Sequence, residues 1–351
     1  VLEISFALFG LVLGSFGTVV AYRVPRKEGI ATGRSRCPHC GRQIGAIENI
    51  PVLSYLWLRG RCAGCGARIS PRYPLIELAT GALFLGSALK FGFSGEAFVY
   101  AGLFWVLVVL TMIDVEHQLL PNRIVYPAFV VGVVALAAVS VVNGEFGRAS
   151  GTLWFATGVD GLLLAILLWP APEGATGDLP SEHEEVAAEA TPEVSADPAH
   201  EKPEQAQPEL PPIRWYEVLL LVALLGAWIA LLVTSLQTGP YDRLSGAVMG
   251  IGVFGGLFFF LSLLYPAGMG GGDVKLTLLL GAMLGYLEAP GIVLAGMFMS
   301  FAAGGVVSIG LLAARRAGRK TGIPFGPFLA MGTTIAVLWG DSIVDYYAST
   351  L

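Results

Sequence analysis

Two aspartates and four cysteines are the residues of this sequence whose types and spacing could do chemistry. Asp114 ends the apolar run "GLFWVLVVLTMI", and Asp273 follows the glycines of "YPAGMGGGDVKL", residues 265–276. Two carboxylates held close together cannot both ionise cheaply, so such a pair shares a proton. It can then activate a water as nucleophile and protonate a departing amine, as aspartic proteases do. The glycines before Asp273 suit that role, because residues without a Cβ let a substrate backbone or a partner helix come close. A plainer reading stays open: each acid is an isolated helix-end residue, or part of an ion pathway. Lys275 reads as an interfacial anchor at the end of a span, with a catalytic partnership as the alternative.

The cysteines fall in two pairs, "CPHC" at 37–40 and "CAGC" at 62–65, with 21 residues between them. Each C-x2-C pair offers two thiolates to one edge of a tetrahedron, which points to zinc on Cys37, Cys40, Cys62 and Cys65. Four thiolates close the shell, so the site is structural. Gly41 and Gly66 follow the pairs and suit the tight turns of such knuckles. A disulfide framework is the rival, and it fits poorly with a reducing compartment. His39 lies inside a knuckle and reads as a bystander.

The elements that must position these groups are apolar helices. The chain has 351 residues, of which 55% are hydrophobic and 13% charged, and its mean hydropathy is +0.70. Those values exclude an ordinary soluble domain and leave an integral membrane protein. A span needs about 20 mostly apolar residues. Runs of that kind recur near 4–22, 74–91, 96–113, 124–142, 151–170, 215–236, 244–265, 275–287, 290–313 and 324–345. The run at 275–287 is short, so the expectation is an all-α polytopic membrane protein with a bundle of about 8–10 transmembrane helices. The first run has neither a basic region before it nor a small-residue cleavage site, and reads as a retained helix.

Charge sets the expected orientation. Residues 23–73 carry Arg23, Arg26, Lys27, Arg34, Arg36, Arg42, Arg59, Arg61, Arg68 and Arg72 against Glu28 and Glu48. The positive-inside rule makes this segment cytoplasmic and puts the N-terminus outside. Counting spans forward, Asp114, Asp273 and the basic turn "RRAGRK" at 315–320 also come out cytoplasmic. Glu3, Asp242, Glu288, Asp341 and Asp345 fall at outer ends, where water is close. Acids at membrane depth are costly, which is why Asp114 and Asp273 stand out.

The chain therefore divides into a first transmembrane helix (1–22), a small cytoplasmic four-cysteine zinc-binding domain (23–73), transmembrane helices with Asp114 (74–170), an acidic segment (171–214) and transmembrane helices with Asp273 (215–351). Between 171 and 212 the acidic segment holds eleven acids and one lysine, Lys202, without an aromatic. Such a composition predicts a disordered cytoplasmic insertion, and its His183 and His200 read as solvated rather than metal-binding.

Several motifs carry a family resemblance. "GMGGGDVKL" has the GxGD pattern of intramembrane aspartyl proteases, and its extension "KLTLLLGAMLG" resembles the type IV prepilin peptidases. "GSFGTVVAYRVP" at 14–25 is similar to that family's first motif, and residues 35–78 resemble its cytoplasmic zinc-knuckle segment. "IDVEHQLLPNRIVYP" at 113–127 is similar to the segment with the first catalytic aspartate, and "PFGPFLAMG" at 324–332 resembles the last-helix motif. The resemblance implies a bifunctional enzyme of the bacterial inner membrane. Its peptidase activity would remove the basic leader of prepilins, and of the pseudopilins of type II secretion, ahead of their apolar helix at the cytoplasmic face. Its second activity would methylate the new N-terminus with S-adenosylmethionine. Asp114 and Asp273 carry over as the catalytic pair, and the four cysteines as metal ligands. Membrane lipid is an expected partner and nucleic acid is not.

Three departures qualify the resemblance. The first motif usually reads GSFxNVV, and the asparagine position here is Thr18, whose hydroxyl cannot replace both donor and acceptor of an amide. The segment after the first aspartate usually reads LPD, and here it is "LPN"; Asn122 cannot titrate, which strengthens Asp114 as the acid. The family has about eight spans without a long tether, so 171–214 and its neighbouring helices look like an insertion. The competing readings are a peptidase without methyltransferase activity and, from another class, a membrane transporter. A transporter would be expected to carry midplane charges on paired broken helices, whereas these acids sit at one face.

Overall fold

A computed structural model describes residues 1–30, 35–144, 243–264, 270–287, 290–314 and 324–350. The expected spans at 151–170 and 215–236, the acidic segment with His183 and His200, and the turn at 315–320 lie outside the described residues. Helices within them are α1 (Leu2–Arg23), α2 (Leu53–Trp57), α3 (Arg72–Phe91), α4 (Gly95–His117) and α5 (Asn122–Val142), then α6 (Arg243–Gly250), α7 (Gly256–Leu264), α8 (Gly271–Gly285), α9 (Pro290–Ala313) and α10 (Gly326–Thr350). A π-helical turn, Ile251–Gly255, joins α6 to α7. The only strand-like pairings among the described residues are two isolated bridges, Arg36 with Gln43 and Arg61 with Arg68.

Among the described residues, seven helices are long and apolar enough to cross a membrane: α1, α3, α4, α5, the α6–α7 run through Ser262, α9 and α10. Helix α8 has 15 residues, about 22 Å at 1.5 Å each, less than the roughly 30 Å hydrocarbon core. Its length is a matter of sequence: polar Gly270 to Asp273 cut the apolar run at one end. The fold is thus an all-helical polytopic bundle, as composition requires.

Local signals set the ends that matter. Ser94 caps α4 by accepting the Ala97 N–H at 3.3 Å, and α4 stops at Gln118, a residue in the left-handed region whose N–H returns to the Asp114 carbonyl. Pro121 then starts α5. Helix α10 opens with Gly326, its first two hydrogen bonds running from Phe328 and Leu329 to the Phe325 carbonyl. Pro327 fits there because the first-turn N–H groups have no partner inside the helix.

Small residues govern the packing. Helix α1 lies on α3, α9 on α10, and α8 on α6. In the last pair, Gly246 and Gly250 of "GAVMG" face Gly285 and Gly281 of "GAMLG"; a Cβ at any of the four would strike the carbonyl of its opposite glycine. Two small-xxx-small stripes therefore meet backbone to backbone, the close approach that drives helix pairing where lipid offers no hydrophobic gain. Between α9 and α10, Gly332 lies against the Gly296 carbonyl, 2.7 Å from where its Cβ would be.

Polar side chains collect at the two ends of the bundle. At one end Glu96 joins Arg243 at 2.6 Å and Asn143 at 2.9 Å, and Lys90 pairs with Asp341. At the other end are the four-cysteine domain, the Arg72–Glu116 ion pair at 2.9 Å, and both candidate aspartates. Below those aspartates, Val20, Ala21, Val24, Val109 and Ile113 form a closed apolar cluster.

Candidate active site

Asp114 occupies the last turn of α4 and is 5% exposed. Its Oδ2 accepts the backbone N–H of Gly326 at 2.9 Å. That N–H is the first of α10 and has no acceptor in its own helix, so the carboxylate completes it at the positive end of the helix dipole. Phe325, next in the chain, is held in a run of rings: 5.8 Å from Phe258, 5.6 Å from Phe301 and 6.0 Å from Phe328. These contacts fix where α10 begins, and with it the donor to Asp114.

Asp273 sits in the first turn of α8, with Gly270 as the residue before the helix. Its N–H donates to the Gly270 carbonyl at 3.1 Å, and the Gly270 N–H lies against its carboxylate. A carboxylate at this helical position satisfies an otherwise unpaired N–H, as in a capping box. Asp114 is near enough for its charge to act on Asp273. Two acids from distant parts of the sequence are thus brought to one end of the bundle, each against a helix start, one buried and one half-buried.

The glycines before Asp273 divide between two jobs. Gly272 lies against Leu120 of the loop after α4, its Cβ position 2.8 Å from the leucine Cβ, so a side chain there would part α8 from the Asp114 segment. Gly271 has nothing within 4 Å and is exposed. Only the second leaves room for an incoming chain.

Lys275 does not meet the aspartates through any described contact. Its Nζ donates to Asn122 Oδ1 at 3.1 Å and lies 5.1 Å from the centre of the Tyr126 ring. It ties α8 to the start of α5. Glu77 is also accounted for, accepting the Val52 N–H at 2.8 Å. Thr18 donates its hydroxyl to the Ser15 carbonyl at 2.7 Å within α1, the local bond a threonine makes and an asparagine side chain would not.

The four cysteines converge. The sulfurs of Cys37, Cys40, Cys62 and Cys65 lie within 4.8 Å of one another and could hold a metal ion; His39 is not among them. The two knuckles repeat one design. Cys37 N–H donates to Arg42 and Gly41 N–H to Cys37, while Cys62 N–H donates to Ala67 and Gly66 N–H to Cys62. Gly41 and Gly66 take φ of +69° and +72°, a left-handed turn open to glycine at no steric cost. The backbone N–H groups of Cys65 and Gly64, with the Cys37 thiol, lower the Cys62 thiol to about 6, so it is ready as a thiolate.

The sequence singles out the aspartates and cysteines by residue type and spacing. Gly326 and Phe325 were read only as part of a motif, and nothing local in them announced a partner on α4. The facing glycine stripes were present as "GAVMG" and "GAMLG", a spacing that itself suggests a helix-pairing face.

The chain is similar to known proteins along most of its length. Residues 8–91 match the bacterial peptidase A24 N-terminal domain, and residues 101–172 and 213–309 match the type IV leader peptidase family, passing over only the acidic stretch between. The chain is 31% identical over 365 residues to a prepilin leader peptidase/N-methyltransferase of Aeromonas hydrophila, covering 97% of this chain and 91% of that protein. It is 29% identical to the protein so named in Pseudomonas aeruginosa, with 97% and 91% covered. It is 47% identical over 136 residues to that of Myxococcus xanthus, covering 38% and 40%. No solved structure matches it. With relatives aligned along nearly its whole length and both halves of its membrane bundle matched, this chain belongs to the type IV leader peptidase family.

Proposed function

We propose that this enzyme cleaves the leader of prepilins and pseudopilins with Asp114 and Asp273, and then methylates the new N-terminus. The observation that carries the peptidase reading is the meeting of these two carboxylates at one end of the bundle, each beside a helix-start N–H. A water between them would lose its proton to one carboxylate as it attacks the scissile carbonyl, and the other would protonate the departing amine. The relatives' names, prepilin leader peptidase/N-methyltransferase, support the substrate class and the second activity. S-adenosylmethionine would supply the methyl group. The arginines of residues 23–73 support a cytoplasmic placement of the site in the inner membrane.

Zinc fits the cysteine domain: four sulfurs converge, Cys62 is a ready thiolate, and both knuckles turn through left-handed glycines. Four thiolates leave no open position, so its part is to hold the domain together.

Asp114→Asn and Asp273→Asn test the peptidase reading in purified enzyme with a prepilin. Each is expected to lose at least about 100-fold of leader cleavage, the low end of what general acid–base catalysis supplies. Wild-type cleavage by either variant would dismiss the pair. Thr18 favours one second reading, a peptidase that does not methylate, because its hydroxyl is spent on Ser15.

A further inference from the structure

The cysteine domain carries an apolar face that no described helix covers. Ile47, Ile50, Leu53, Leu56 and Trp57 are 79%, 42%, 63%, 65% and 86% exposed. Leu53, Leu56 and Trp57 fall at i, i+3 and i+4 of α2, one side of a helix, and the turn Ile47–Asn49 packs beside it. A soluble surface seldom gathers so much apolar area in so short a stretch.

The face is tied to the first turns of a membrane-length helix. Val52, immediately before α2, donates its N–H to Glu77 of α3 at 2.8 Å. Glu77 lies five residues into α3, about 7.5 Å along its axis, within the first third of a helix long and apolar enough to span the bilayer. Val52 adopts φ +60° and ψ −49°, and Leu53 N–H returns to the Pro51 carbonyl at 2.5 Å. This is a tight γ-turn that a β-branched residue adopts only where its surroundings impose it. The bond to Glu77 is that constraint, and it sets the direction in which α2 departs.

Around the face the charge is basic. Arg59 and Arg61 follow α2 and both are exposed, as are Arg36 and Arg68 of the knuckles. Of the two acids of residues 23–73, Glu48 is already paired with Arg42 at 2.7 Å. Apolar side chains with a tryptophan, followed in the chain by exposed arginines and tied to the first turns of a membrane-length helix, match a membrane interface, where rings and aliphatic stems enter the acyl boundary and guanidiniums stay with the phosphates.

We propose that the α2 face of the cysteine domain lies on the anionic lipid surface of the enzyme's own membrane, fixing the domain beside the aspartates. The full chain is reconstituted in vesicles of phosphatidylglycerol with phosphatidylethanolamine, or of phosphatidylcholine alone, with photoreactive p-benzoylphenylalanine in place of Trp57. A second protein carries the probe in place of Ala63, an exposed knuckle residue. Position 57 is expected to yield lipid adducts, about fivefold more of them in the anionic vesicles, the factor expected of one arginine's attraction to such a surface. Position 63 is expected to yield few. Equal yields at the two positions, equal yields in the two vesicles, or adducts to a second protein chain instead of lipid would each overturn the proposal. Because Trp57 is 86% exposed, the probe displaces no packing; brominated-lipid quenching that is greater in wild type than in Trp57→Phe provides an independent measure, and equal quenching would overturn it as well.

Discussion

Asp114 and Gly326 are joined by a 2.9 Å hydrogen bond from the first N–H of α10 to a carboxylate at the end of α4, across 212 positions of sequence. The bond places one candidate catalytic acid by means of the last helix, and it leaves the other carboxylate oxygen for a water. It also accounts for glycine at 326, since a Cβ would stand 2.5 Å from Asp114 Oδ2.

Gly326→Ala should therefore push the Asp114 carboxylate out of line without unfolding the bundle. Leader cleavage is expected to fall about 100-fold, the cost of an ångström-scale misplacement at a reacting group. Helical circular dichroism and metal content should stay at wild-type values. A wild-type rate would mean that the contact has no part in positioning the acid.

The glycine stripes of α6 and α8 set where Asp273 stands. Gly281→Val or Gly250→Val places a branched side chain against the opposite backbone, and overpacking of this kind costs about 1–3 kcal/mol or more. A lowered melting temperature in detergent and a parallel loss of cleavage are expected. Gly256→Ala is the contrast: exposed, helical and with nothing within 4 Å, it should be neutral or slightly stabilising.

Metal removal should act on the cysteine domain and spare the bundle. Wild-type protein is expected to hold about one zinc per chain, and Cys37→Ser or Cys62→Ser well under that. Hydrogen exchange should rise at 36–43 and 61–68, where the knuckle bonds lie, and hold in α4 and α8. The Cys62 thiol, lowered to about 6, is a thiolate above that pH and takes up its proton as the pH falls through it. The Cys65 thiol beside it is raised to about 11, so filling the site releases protons throughout the neutral range, and zinc uptake by stripped protein should weaken steadily as the pH falls. Unchanged exchange at the knuckles after chelation would reject a metal-held domain.

What the sequence disclosed and what it withheld follow from the range of each signal. Asp114 and Asp273 were legible because an acid beside an apolar run is costly wherever it sits, and the cysteines because their spacing is itself the geometry of a tetrahedral site. Of the eight apolar runs that fall among the described residues, seven became membrane-length helices, and the one at 275–287 is the short α8. The donor at Gly326 was not legible, because it depends on the far end of the chain meeting α4. Lys275 reads as an interfacial anchor, and the structure adds its bond to Asn122, a partner that composition could not name.

Methylation puts Thr18 to the test. Its hydroxyl is committed to the Ser15 carbonyl at 2.7 Å, so it offers no amide to a second site. If the second activity tolerates this, mass spectrometry of a mature pilin made by the wild-type enzyme will show one added methyl group at its N-terminus. Thr18→Asn is then expected to change the yield little. A mature pilin that lacks the methyl group, and gains it with Thr18→Asn, would establish the chain as a peptidase in which that activity has lapsed.

Lys275 separates positioning from catalysis. Its bond to Asn122 and its place over Tyr126 connect α8 to α5, so Lys275→Met should loosen the helix that carries Asp273 while leaving both acids in place. The expected loss is about tenfold in kcat/KM, well short of the 100-fold or more expected for Asp273→Asn, and the pH profile of cleavage should keep its shape. Asn122→Asp would turn the neutral bond into an ion pair in a half-buried site, adding up to about 1 kcal/mol of stability, and should lower activity little if Lys275 acts only as a tether. A Lys275→Met variant as inactive as Asp273→Asn, with an altered pH profile, would instead make the lysine a member of the proton-transfer machinery.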